Sequence, residues 1–103
     1  MKIIEHEPQF WFLLQDGIQL LLDVSCEYSF VGYSFLMVLN EDEVSCYKKE
    51  GRDYLSTLAE AINFSCPIAR GSSSPYKQRN IQSLRGDEVL DAVCRWREEK
   101  VGG

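Results

Sequence analysis

The chain has 103 residues, 45% of them hydrophobic and 12% aromatic, and its 16 acidic against 11 basic side chains leave a net charge of −5. That length and composition suit one domain over 1–103 with its own apolar core, and they exclude a disordered chain. No apolar run approaches the roughly 20 residues needed to cross a bilayer, and the acidic balance disfavours nucleic acid.

The start of the chain, with Lys2, Glu5, His6 and Glu7 before a short apolar run, is a poor secretory signal, so a cytoplasmic protein without membrane contact is expected. Cys26, Cys46, Cys66 and Cys94 form no CxxC pair, and His6 is the sole histidine. No metal site and no cofactor are therefore expected. The four cysteines read as reduced thiols used as small apolar side chains, with Cys26 and Cys94 packed inside.

The first strong element signal is Asp16-Gly17 between two apolar runs. Such a pair favours a type I′ hairpin turn, because both central positions need φ > 0. Gln15 would then face Ile18, placing Trp11, Leu13, Ile18, Leu20, Leu22, Val24 and Cys26 on one side of the hairpin. Gln19, Asp23, Ser25 and Glu27 alternate onto the other side, as in a strand covered on one face. That second side also carries Phe10, Phe12, Leu14 and Leu21. A third strand follows Gly32, and its run Tyr-Ser-Phe-Leu-Met-Val-Leu is apolar on both faces, which suits a sheet covered on both sides.

Asn40 reads as a helix N-cap, with Glu41, Asp42 and Glu43 at the positive end of the helix dipole. Val44, Tyr47, Leu55 and Leu58 keep one helical phase across Gly51, so one helix kinked there is expected. Cys66-Pro67 and Gly71-Ser-Ser-Ser-Pro75 are loop chemistry. Asp87 is the expected cap of a last helix with Val89, Leu90, Val93 and Trp96 on its apolar side.

The expected fold is thus α+β. An antiparallel meander of three to four strands, over 9–15, 18–28, 33–39 and a short edge strand at 80–84, packs on helices over 41–63 and 87–99. Both helices are expected on the Trp11, Leu20, Leu22, Val24 face. Phe10, Phe12, Leu14 and Leu21 would then remain as an apolar back and an interface for a homodimer or a partner.

Residues 65–86 carry Arg70, Lys77, Arg79 and Arg85 and no acid, which leaves 7 bases against 16 acids elsewhere. Within this segment Arg70, Ser72, Ser73, Ser74, Lys77 and Arg79 are the candidate anion-binding residues, through backbone amides, hydroxyls and cations together. The competing reading pairs these cations with the acidic body. Glu41, Asp42, Glu43, Glu50 and Asp53 are a candidate docking surface for a basic partner, or a solvated helix face. Ser25, Cys26 and His6 form no set of nucleophile, base and orienting group, so no catalytic residues are assigned.

A non-enzymatic protein-interaction module is the leading reading, binding a protein partner or a second copy of itself. The alternative is a small anionic-ligand-binding or enzymatic domain using the 70–79 loop, with nucleic-acid contact through that loop a weaker option. Small size, acidity and an antiparallel sheet with helices are general traits of many bacterial toxin-immunity proteins, an analogy of type that no motif carries.

Overall fold

The computed structural model describes residues 1–28, 31–65 and 74–102. Four antiparallel strands, β1 (Lys2–Glu7), β2 (Trp11–Asp16), β3 (Gln19–Tyr28) and β4 (Val31–Val38), lie in the order β1-β2-β3-β4. Three helices follow: α1 (Glu41–Glu50), α2 (Arg52–Phe64) and α3 (Gln82–Gly102), the last preceded by a 3-10 turn at Lys77–Arg79. The fold is α+β, as expected. No described helix is long and apolar enough to cross a membrane.

The register differs from the expected one at the central hairpin. Asp16 pairs with Gln19 and Trp11 with Val24, so Gly17 and Ile18 are the two turn residues. Gly17 has φ +61 and Ile18 has no positive φ, the pattern of a type II′ turn with glycine first. The pairing slides by two positions, which preserves the faces. Ile18 alone changes fate, from core residue to fully exposed turn residue.

The first strand was not expected. Its Lys2, Glu5, His6 and Glu7 mask the alternation, and an irregularity between Ile3 and Glu5 breaks it. β1 joins β2 through Glu7-Pro8-Gln9-Phe10, in which Phe10 N donates to Glu7 O at 3.0 Å. Gln9 has φ 63, the left-handed value that the third residue of a type II turn requires after proline.

The sheet is covered on both sides. On one, Trp11, Leu13, Leu22, Val24, Phe35 and Met37 pack under Leu55, Leu58, Ala59 and Ile62 of α2, flanked by Val44 and Tyr47 of α1. On the other, Leu14, Leu21 and Leu36 pack under Val89, Ala92 and Val93 of α3. The expectation that α3 shares the first face is corrected. β4 buries Phe35, Leu36 and Met37 completely, and a strand apolar on both faces needs a layer on each.

This arrangement also corrects the exposed apolar back. Leu14 and Leu21 are 0% exposed under α3. Phe12 is half-buried beside His6 and Trp96, and Phe10 packs against the first core. All four side chains serve the interior, so the apolar surface that motivated a dimer through them does not exist.

The helical segment from 41 breaks at Gly51, with φ 74, into α1 and α2. Asn40 and Glu43 complete a capping box, in which Glu43 N donates to Asn40 Oδ1 and Asn40 N to Glu43 Oε1, both at 2.9 Å. The expected edge strand at 80–84 is replaced by the start of α3, five residues before Asp87. Asn80 explains the early start, since its Oδ1 accepts from Gln82 N at 3.0 Å in place of a preceding helical turn.

Candidate functional site

The acid-free segment comes first. Arg70, Ser72 and Ser73 lie outside the described residues. Ser74 Oγ sits 2.6 Å from Ser65 Oγ and accepts from Tyr76 N, linking the ends of the segment. Lys77 is exposed on the 3-10 turn. Arg79 points inward, with Nη1 donating to Glu43 Oε2 at 2.9 Å and Nη2 to Glu43 Oε1 at 2.6 Å and to Val38 O at 2.8 Å. Arg85 likewise reaches the Asp16 carboxylate across from α3, and Glu88 on its own helix.

Two of the segment's four cations therefore neutralise acids of the body. Burial opposes ionisation of Glu43, but hydrogen bonds from Arg79 and from the Asn40 backbone outweigh it and hold the carboxyl below its usual range. Of the candidate acidic surface, Glu43 is consumed inside, whereas Glu41, Asp42, Glu50 and Asp53 remain exposed.

Both open edges of the sheet are partly covered. Along β4, Leu36 N donates to Asn80 Oδ1, Ile81 N to Leu36 O at 2.7 Å, and Arg79 to Val38 O. Along β1, the irregularity at Ile4 interrupts the ladder, and Arg52 Nη2 donates to His6 O at 2.8 Å while pairing with Glu7 at 2.6 Å. Such coverage disfavours the addition of a foreign strand at these positions.

Two of the concave places on the described surface bear on binding. The first lies at the hairpin tip, where Ile18, Leu20, Val38, Leu39 and Val44 line a groove with Glu41 at its rim. The turn puts Ile18 there, and the start of α1 puts acids beside it.

The second lies under α3. Phe12, Asp23, Ser25 and Ser34 on the sheet face Gln82, Gly86, Val93 and Arg97 across a cleft of about 300 Å³. Asp23 pairs in register with Phe12 and Leu36, so its carboxyl lies on an otherwise apolar row, and burial pushes it up to about 6. The sequence reading put Asp23 on the solvent side. The signal against that was Leu21, Leu14 and Phe12 on the same face.

His6 does not approach a nucleophile. Its ring stacks on Phe12 at 5.6 Å between centroids and meets Trp96 edge-on at 4.6 Å. Cys26 is buried, Cys46 half-buried and Cys94, contrary to expectation, exposed on α3, where the apolar stripe runs through Val89, Ala92 and Val93 instead. Among the described residues no three His, Cys, Asp or Glu side chains gather as metal ligands.

No protein-family model, no curated protein and no solved structure matches this chain. Any functional reading rests on the geometry above.

Proposed function

We propose that this protein is a non-enzymatic interaction module that docks a protein partner at the tip of the β2–β3 hairpin. The observation that carries the reading is Ile18, a large aliphatic side chain fully exposed beside an apolar groove. Turns at hairpin tips favour Gly, Asn and Asp, so isoleucine there gains nothing for the fold. Exposed apolar surface rimmed by charge is a common mark of an interface. Glu41 supplies negative charge at that rim and Asp42, the next residue of α1, is exposed, which favours a partner presenting an apolar side chain flanked by lysine or arginine.

The test compares partners co-purified from source cells with wild-type protein, Ile18→Asp and the double variant Glu41→Lys, Asp42→Lys. A defined partner retained by the wild type and lost from both variants, with unfolding midpoints unchanged, supports the reading. Equal recovery by all three contradicts it. A second copy of this chain as the retained species would make the module a self-associating one.

A further inference from the structure

We infer that the cleft between α3 and the sheet binds a small organic cation bearing several N–H donors, a protonated amine or guanidinium, at Asp23. This site is separate from the hairpin tip and does not rest on the reading given there. Its polar lining residues are Asp23, Ser25, Ser34, Gln82, Asp87 and Arg97, all but Arg97 carrying a side-chain oxygen that accepts hydrogen bonds. Asp23 contributes a carboxylate, and no described cation lies within ion-pair distance of it. Gln82 also lines the cleft, with an amide whose Oε1 is buried and has no hydrogen-bond partner among the described residues. Ser25 and Ser34, opposite each other on β3 and β4, add hydroxyls to the lining.

A carboxylate held away from water without a counter-charge disfavours the folded state. An occupant with a positive charge and several N–H donors supplies the missing counter-charge and donates to the serine hydroxyl oxygens as well. The volume of about 300 Å³ sits at the lower end of the range for small-molecule sites. Phe12 supplies an apolar wall for the occupant's carbon atoms.

A Cβ at Gly86 would come 2.4 Å from Gln82 Nε2, so the glycine lets the Gln82 amide fold back along the helix. Asp87 and Arg97 on α3 also line the cleft, one of each sign. His6 on β1 lies beyond Phe12, against which its ring is stacked.

The experiment is a nuclear magnetic resonance titration of the whole protein with methylguanidinium, using N-methylurea as the neutral counterpart at matched ionic strength. Saturable shifts at Asp23, Ser25, Ser34 and the Gln82 side-chain amide are expected with methylguanidinium alone. Only the ionised Asp23 should bind, and its carboxyl titrates at about 6. Lowering the pH from 7 to 5 should therefore weaken the binding about tenfold.

Asp23→Asn, which preserves shape and removes the charge, should abolish the saturable shifts. Gly86→Ala, which favours the helix but displaces the Gln82 amide, should weaken them. Equal shifts from N-methylurea, or an Asp23→Asn titration that superimposes on the wild type, would overturn the assignment.

Discussion

Arg79 and Glu43 are joined by two hydrogen bonds, at 2.9 and 2.6 Å, and the same guanidinium donates to Val38 O at 2.8 Å. One side chain thus ties the segment before α3 to the first turn of α1 and to the end of β4. Glu43 is the one charged residue that is buried among those described, and bidentate pairs of this kind hold geometry as well as charge. Arg79→Ala should lower stability by about 1.5–3 kcal/mol, because it leaves a buried carboxylate without its partner. Urea denaturation checks this, and an unchanged midpoint would show the pair to be no more than a surface contact.

The two perturbed carboxyls have opposite signs in their pH dependence. Glu43 is held below its unfolded value of 4.5, so its contribution is present above that value and disappears as the pH falls through its folded value. Asp23 is raised from 3.8 to about 6. It disfavours the folded state at neutral pH, and that penalty fades as the pH falls from above 6 towards 4. Asp23→Asn should therefore stabilise the protein at neutral pH by about 1–3 kcal/mol and much less at pH 4. Urea midpoints at the two pH values give the answer, and an unchanged stability at neutral pH would mean that the carboxylate is well solvated.

Because both faces of the sheet are covered, Leu21→Ala should be as damaging as Leu22→Ala. Each should cost about 2–5 kcal/mol through the cavity it leaves. A loss below about 1 kcal/mol for Leu21→Ala, measured in urea, would place α3 away from the sheet.

Much of this fold was legible in the chain. Alternation of Leu20, Leu22, Val24 and Cys26 against Asp23, Ser25 and Glu27 marked β3, and Asn40 with Glu43 marked the start of α1. Gly51 marked the break after it. Less legible was β1, whose charges serve a blunted edge and whose irregularity at Ile4 erases the period of two.

The hairpin register was missed because Asp-Gly favours one tight turn and Gly-Ile permits another. Sequence patterning does not decide between the two turns when the faces are the same. The layer occupied by α3 was hidden for a similar reason, since a helix pattern says that one stripe is buried but not against which side. The basic segment showed only its charge. That Arg79 and Arg85 would reach Glu43 and Asp16 depends on contacts 36 and 69 residues distant.

The β1–β2 turn stores a small amount of strain. Gln9 adopts φ 63, a left-handed conformation that costs a non-glycine residue roughly 1–2 kcal/mol. Gln9→Gly should raise stability by about 0.5–1 kcal/mol, once the extra entropy of an unfolded glycine is subtracted. Thermal unfolding measures it, and a clear loss would mean that the Gln9 side chain contributes more than its backbone costs.

The thiols should separate by exposure. In a Cys66→Ser background, Cys94 should react with a maleimide at once, Cys46 more slowly, and Cys26 only after denaturant is added. Mass spectrometry of the labelled peptides would reveal the order, and early labelling of Cys26 would contradict its place in the core.

The central proposal concerns Ile18, and site-specific photocrosslinking tests it most directly. A benzophenone amino acid placed at position 18 in living source cells should give a discrete adduct. The same probe at Thr57, on the outer face of α2, should not, and Glu41→Lys with Asp42→Lys should abolish the adduct at 18. Identical adducts from both positions, or an adduct at 18 that survives reversal of the rim charge, would contradict a docking surface at the hairpin tip.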